Sequence, residues 1–370
     1  MKIAIKTINS NNYGNRLQNY ATQRLLNNFG CEVETIRNYE NHTNINKRYI
    51  KRQVKKLILY IYEKTSILNI KKLNDSIRNQ KFKNFTQKYI KQSKYMISKD
   101  NVPEYICKEY DYFISGSDQI WNPEFSFNSE LDFLTFAPKG KKIAYSASFG
   151  ICKLPERCIN DYKKWINQID HLSVRENAGA DIIKKITGKD ALVLLDPTLM
   201  LNKYEWLEIA KKPKLNINKK YILTYFLGNK DKETEMKIND ISRKKNLDII
   251  NLLDINNKGI YNIDPSEFIW LINSSELICT DSFHGVVFSL IMKSPFIVFE
   301  RKDNGLSMNS RLETLLTKFN MENRLCDNLV DEEIFNINFT EVDRIIKHEK
   351  EKTVNYLKNA LSLEEYKLLN

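Results

Sequence analysis

Leu277-Ile278-Cys279-Thr280-Asp281-Ser282-Phe283-His284-Gly285-Val286-Val287-Phe288 carries one apolar run into a polar knot and out into another. The first run, Glu276 to Thr280, has the length of a buried strand; the second, from about Ser282 to Met292, has the length of a helix. Pro295 to Phe299 is apolar again and reads as the next strand. Strand, helix and strand in so short a span make a crossover, and such crossovers build parallel sheets covered on both faces. The polar knot then falls at the carboxyl end of a strand, where open parallel sheets bind their ligands.

The same alternation extends outward from this stretch. Upstream, Tyr221 to Phe226 and Asp248 to Leu253 are strands flanking a charged helix. Ile3-Ala4-Ile5 opens an earlier block, followed by a helix from Arg16 to Phe29 that Gly30 ends, and by strands at Cys31 to Ile36, Asp111 to Ser115 and Lys142 to Ser148. A helix near Pro155 to Gln168 and strands at His171 to Val174 and Ala191 to Leu195 complete it. The pattern predicts two α/β halves: a first domain over 1–205 with a basic helical insertion at about 45–100, and a second over 206–330. A helix around Val342 to Leu361 gives a helical segment over 331–370.

Composition excludes several classes. Eleven Gly and eight Pro in 370 residues, with 42% hydrophobic and 11% aromatic residues, do not fit a collagen-like, linker-like or disordered chain. The three apolar residues between Lys2 and Lys6 are too few for a secretory signal, and the runs Leu57 to Tyr62 and Val286 to Met292 are too short to cross a bilayer. A cytoplasmic protein is expected. Six scattered cysteines form no C-x-x-C pair, so reduced thiols and no structural zinc are expected.

Charge is concentrated. Lys47 to Lys99 holds 16 Lys and Arg against Glu63 and Asp75, a local +14 in a chain of net +12, which leaves the rest at −2. Ile50, Val54, Leu57, Ile58 and Ile61 recur at helical spacing within it. The segment reads as a solvated amphipathic insertion or as a surface for anionic membrane at the inner face. With no RNP, zinc-finger or helix-turn-helix signature beside the charge, nucleic acid is not an expected partner.

Five strand ends carry candidate chemistry: Asn11 to Asn15, Gly116 to Asn122, Ser148 to Gly150, Arg175 to Asn177 and Thr280 to Gly285. The amides of the helix start after Ser282 can hold a phosphate or carboxylate, with Asp281 or Ser282 as the cap. His284 in that first turn can move a proton beside a bound anion. Arg175 can either grip a carboxylate or phosphate in two parallel hydrogen bonds or pair with Glu176 or another neighbour; Arg301 and Arg311 follow the strand Pro295 to Phe299, Arg311 as a cleft cation or as a helix-surface charge. Trp121 is either core or a face for a sugar ring. No P-loop, G-x-G-x-x-G or G-x-S-x-G motif is present, and no D-x-D pair calls for a divalent metal.

Taken together, Asn12-Tyr13-Gly14-Asn15-Arg16-Leu17-Gln18-Asn19-Tyr20-Ala21, Gly116 to Pro123, Ser146-Ala147-Ser148-Phe149-Gly150, Ser173-Val174-Arg175-Glu176, Leu195-Asp196-Pro197-Thr198 and Thr280 to Gly285 resemble the polysaccharide pyruvyl transferase family. The resemblance implies two Rossmann-like domains of GT-B type facing a central cleft, 1–205 as the acceptor domain and 206–330 as the donor domain, with phosphoenolpyruvate as a co-substrate and no cofactor. The acceptor would be a sugar hydroxyl pair on a glycan or its lipid-linked precursor, and the product a pyruvate ketal. His284, Arg175 and Asp118 would be catalytic, Asp118 as a base for the acceptor. Ser282, Gly285, Asn309, Ser310, Arg311 and Arg301 would bind the donor; Asn12, Tyr13, Asn15, Gln119, Trp121 and Asn122 would bind the acceptor. Many relatives carry Arg-Leu or Arg-x before the histidine where this chain has Ser282-Phe283, leaving Arg311 or Arg301 to supply that charge. The competing readings are a GT-B glycosyltransferase with a nucleotide-sugar donor, and a catalytically silent glycan- or membrane-binding module.

Overall fold

A computed structural model describes residues 1–38, 66–301 and 310–363. The apolar stretch Ile3-Ala4-Ile5 forms strand β1 (Lys2–Lys6), and all three residues are fully buried. Strands covered on both faces must be apolar on both, and β1 sits mid-sheet as that rule requires. The order is β3-β2-β1-β4-β5, with β2 at Glu32–Asn38, β3 at Gln92–Ile97, β4 at Tyr112–Ser115 and β5 at Lys142–Ala144. Every pairing is parallel, as in Ile3↔Val33 and Ile3↔Tyr112. Bridges Ile143↔His171 and Ala147↔Val174 dock a further pair, β6 (Ser173–Val174) and β7 (Leu192–Val193), beside β5.

The second half holds another all-parallel sheet in the order β11-β10-β8-β9: β8 is Tyr221–Tyr225, β9 Asp248–Asn251, β10 Leu277–Thr280 and β11 Phe296–Val298. Every residue of β8 and β10 is buried. The helix Phe283–Met292 connects β10 to β11 and is itself buried along its whole length, so the stretch that opened the reading of the sequence lies at the heart of this half. Two parallel, helix-covered sheets with a cavity at their strand ends are the expected GT-B arrangement.

Two helices cross from one half to the other. The helix Phe339–Ala360 returns to the first sheet, where Tyr356 Oη donates to the carbonyl of Ala144 at 2.7 Å. The helix Ser66–Tyr89 buries Phe82 and Phe85 in the main core and straps the seam. Its Arg78 donates to Tyr13 Oη (2.6 Å) in the first half and to the carbonyl of Tyr261 (2.7 Å) in the second, and its Lys81 meets Glu267 at 3.0 Å.

The basic segment differs from its reading as wholly helical. Its helix stops at Tyr89, and Gln92–Ile97 pairs with β2 as the edge strand β3. The apolar stripe Ile50 to Ile61, on which the membrane reading rested, lies outside the described residues. Among the described residues no helix is long and apolar enough to cross a membrane. The strand expected over Lys142 to Ser148 ends at Ala144, because Ser146 takes a left-handed conformation (φ 50°) that breaks the ladder.

Candidate active site

The Ser146 kink begins a stitched unit. Ser146 Oγ donates to the carbonyl of Leu195 at 2.7 Å, and its amide donates to Ser173 Oγ at 3.0 Å. Glu176 Oε1, fully buried, accepts from Ser148 Oγ (3.0 Å) and from the amides of Phe149 (2.8 Å) and Gly150 (3.2 Å). Three motifs far apart in the chain, around Ser146, Arg175 and Asp196, thereby become one rigid floor. Gly150 has φ 67°, and a Cβ there would overlap the Gln119 amide, so glycine lets Gln119 fold back over the floor.

Asp196 is the hub of that floor. Its Oδ1 accepts from the Thr198 amide (3.0 Å) and Oγ1 (2.6 Å), and its Oδ2 from Ser117 Oγ (2.9 Å) and Arg175 Nη1 (2.7 Å). Arg175 Nη2 meets Asp118 Oδ1 at 3.2 Å, and the guanidinium lies over the Phe283 ring at 4.2 Å. His284 approaches from the opposite half, its Nε2 3.6 Å from Asp196 Oδ2, longer than a hydrogen bond and hence a coulombic contact. Gly14 allows that approach, for a Cβ there would overlap the imidazole.

The charges adjust to one another. Burial pushes the Asp196 carboxyl up, but His284, Arg175 and the Thr198 hydrogen bond outweigh it and hold the group well below the usual carboxylate range. Burial likewise opposes Asp118, and Arg175, His284 and Arg311 outweigh it, so its pKa is also lowered. Arg175 loses to burial and gains more from Asp196, Asp118 and Glu176, so its pKa is raised. Arg311 goes the other way: burial first, then the Arg175 charge, bring it down to about 10.

A cavity of about 270 Å³ opens above this floor, at the strand ends of both sheets. The first half contributes Ser10, Asn12, Asp118, Gln119, Phe125 and Phe127; the second contributes Leu227, Ser282, His284, Arg301 and Arg311. Ser282 caps the helix Phe283–Met292, accepting from the Gly285 amide at 3.4 Å, so the helix start faces the cavity. Asp281 does not cap. Its carboxylate accepts from the amides of Leu227 and Gly228, each at 2.7 Å, and from Arg301 Nε at 3.1 Å, which steadies the Arg301 side chain at the rim. With the Gln119 amide turned to accept, its oxygen lies 3.1 and 3.2 Å from the two terminal nitrogens of Arg311.

The expected site residues therefore divide. His284, Asp118, Ser282, Arg301, Arg311, Asn12 and Gln119 line the cavity together. Arg175 does not: its side chain is 1% exposed and both terminal nitrogens face carboxylates, so it holds the floor instead of a ligand. Tyr13 is fully buried, stacked on Phe268 at 4.6 Å with its hydroxyl on Arg78. Trp121 is fully buried too, stacked on Phe133 at 5.0 Å with Nε1 donating to the carbonyl of Asp132. Both are core aromatics where an acceptor contact was expected. Asn15 and Asn122 act one layer back, Asn15 on Asp118 Oδ2 (3.3 Å) and Asn122 on the Gln119 side chain (2.6 Å). Gly285 packs on Thr280, Ser310 is buried at the start of the helix Ser310–Lys318, and Asn309 lies outside the described residues. Sequence reasoning missed Asp196 as the hub and Phe125, Phe127 and Leu227 as lining. A carboxylate directly after the apolar run Ala191 to Leu195 was the available signal for the first.

A cleft lined by arginines between two parallel sheets defines a two-domain α/β protein of GT-B type. Within that class the family is that of the polysaccharide pyruvyl transferases, whose model matches residues 12–304; the chain belongs to it, and membership makes it a transferase of polysaccharide biosynthesis. No curated protein matches the chain. Among solved structures it is similar to the UDP-GlcNAc 2-epimerase of Methanocaldococcus jannaschii in complex with UDP-GlcNAc and UDP (14% identity, 97% of this chain and 100% of that one, TM-score 0.49). A putative UDP-N-acetylglucosamine 2-epimerase from Listeria monocytogenes is alike at 11% identity, 98% and 97% coverage and TM-score 0.49. The glycosyltransferase VinC in complex with dTDP follows at 12%, 98% and 100%, and 0.43.

Proposed function

We propose that this chain transfers the enolpyruvyl group of phosphoenolpyruvate to two hydroxyls of one sugar, forming a cyclic pyruvate ketal and releasing phosphate. The observation that carries the reading is the charge of the cavity lining: Arg301, Arg311 and a helix start beside the His284 imidazole, against Asp118 as the one carboxylate among the described lining residues. Phosphoenolpyruvate brings a phosphate and a carboxylate within a few atoms, and guanidinium groups with a helix amino terminus suit both.

In this scheme Arg311 and Arg301 hold the acidic groups of the donor over the helix start at Ser282. His284 delivers a proton to the methylene carbon, which leaves an oxocarbenium-like centre at the adjoining carbon. One sugar hydroxyl adds there, the carbon–oxygen bond to phosphate breaks, and the second hydroxyl closes the ring. Of the two hydroxyl protons, one makes good the proton given to the methylene carbon and the other leaves with phosphate. Asp118, whose pKa is lowered, is a weaker proton acceptor than an ordinary carboxylate, so its role is to orient a hydroxyl by accepting its hydrogen bond. Arg175 fixes Asp118 and Asp196 rather than the donor carboxylate.

The test is phosphate release from phosphoenolpyruvate in the presence of a galactoside or an N-acetylmannosamine acceptor, with His284→Ala as the control. A general acid is worth roughly 10² to 10⁴ in turnover. Near-full phosphate release by the variant would remove His284 from the mechanism, and release of nucleoside diphosphate from a nucleotide sugar would replace the reaction with glycosyl transfer.

A further inference from the structure

The cavity has a second character besides its charge. Phe127 is 42% exposed and belongs to none of the hydrophobic clusters, and Leu227, 43% exposed, lines the same cavity from the opposite half. A single exposed apolar side chain needs no explanation. Here Phe125, Phe283 and Ile8 line the cavity with them, making an apolar wall beside the arginines.

The exposure of Phe127 is built, not slack. The next residue, Asn128, accepts from Tyr162 Oη (2.8 Å) and donates to the carbonyl of Ile120 (2.9 Å), while its amide donates to the carbonyl of Phe125 (2.9 Å). At the other end of the loop Asn122 Oδ1 accepts from the Glu124 amide at 2.9 Å. Phe125 packs against the buried cluster around Trp121, and its ring lies 5.1 Å from that of Phe127. The loop thus presents one aromatic face, backed by a second, with Ser10, Asn12 and Gln119 at hand as hydrogen-bonding groups.

We infer that Phe127, backed by Phe125 and faced by Leu227, is the platform for the acceptor's pyranose ring, an inference that rests on the acceptor of the proposed reaction being a sugar. A pyranose is amphipathic: its C–H edges suit the negative face of an aromatic ring, and its hydroxyls suit amides and carboxylates. Packed on Phe127, the ring keeps its hydroxyl edge free for Gln119 and Asp118 and for the donor beside His284. This is the role the sequence offered to Trp121, moved to the exposed aromatic six residues on.

The experiment uses the full chain and the variants Phe127→Ala, Phe127→Leu and Phe127→Trp. Saturation-transfer NMR titrations with methyl β-D-galactopyranoside and N-acetylmannosamine read sugar binding without turnover, and calorimetry with phosphoenolpyruvate reads donor binding separately. Ring-proton saturation is expected in the unmodified protein. Its dissociation constant should rise about 2- to 13-fold in the Ala and Leu variants, the usual worth of an aromatic contact, and hold in the Trp variant. Donor affinity should stay within about twofold throughout. Equal sugar binding in Phe127→Ala, no ring-proton saturation by either sugar, or parallel loss of donor affinity would each overturn the platform. Should the sugar bind through Phe127 while phosphoenolpyruvate does not bind at all, the platform stands and the donor assignment fails.

Discussion

Replacing Asp196 by Asn keeps the shape of the hub and removes its charge. The side chain is fully buried and faces four donors besides His284, so the amide nitrogen must turn toward either Arg175 and Ser117 or Thr198, donor against donor. In either orientation Arg175, 1% exposed, keeps Asp118 at 3.2 Å as its one remaining charge-paired hydrogen bond. Leaving one member of a buried ion pair without its partner costs about 3–5 kcal/mol, and Asp196→Asn should lose stability in that range at pH 7 by urea unfolding. The pH dependence gives a second check. Because the native carboxyl is held below its unfolded value of about 3.9, its contribution is complete above about pH 5 and is lost as the pH falls toward the depressed native value. The difference between the two proteins should therefore be flat from about pH 6 to 8 and shrink below about pH 4. A loss under about 1 kcal/mol at pH 7, or a difference that widens on acidification, would refute the assignment of Asp196 as an ionised hub.

Gly14→Ala should leave the helix Tyr13–Asn28 intact and displace the His284 imidazole, lowering turnover at least about tenfold; full activity in the phosphate-release assay would deny the contact. Arg311→Met should raise the KM for phosphoenolpyruvate by about tenfold or more, since charged hydrogen bonds are each worth about 1.5–3 kcal/mol, with a smaller loss of stability than Arg175→Met because burial and the Arg175 charge disfavour its guanidinium. Arg175→Met should do the reverse, costing about 3–5 kcal/mol of stability by leaving Asp196 and Asp118 buried together; equal effects of the two substitutions on KM would erase the distinction between floor and ligand site. Gly150→Ala should raise the KM for phosphoenolpyruvate through Gln119 and Arg311, because it must strain a backbone at φ 67° and push on the Gln119 amide.

How far the sequence carried the fold depended on which rule governed each segment. Strands β1, β8 and β10 were legible because a strand buried on both faces has to be continuously apolar. Strand β3 was not, because an edge strand needs to bury few positions: Ser93 and Ile97 are buried while Lys94 is exposed, and its lysines merged with the basic helix before it. The site divided in the same way. Topology brings strand ends together, so the loops holding Asp118, Ser282 and His284 could be named in advance. Which side chains of a loop enter the cavity is decided by packing, and the large aromatics Tyr13 and Trp121 gained more from the core than the cleft could offer. Gly14 and His284 are far apart in the chain, and no local pattern announces that one must be small for the other to fit.

The charges make one arrangement out of these parts. Below the cavity Arg175 is compensated by Asp196 and Asp118 and stays charged despite burial. Around the cavity Arg311 is disfavoured first by burial and then by the Arg175 charge, with Asp118 and Glu176 acting against them. An anion that enters the cavity adds a favourable contact to that buried charge. Asp196 also faces His284 from across the seam, 3.6 Å from its Nε2, which sets the imidazole against the floor. In the proposed reaction an anion at Arg311 would share the cavity with the His284 imidazole, while the apolar side chains around Phe127 line another part of it. Ionic and apolar side chains lining different parts of one cavity suit the proposed reaction between a doubly acidic donor and an uncharged sugar.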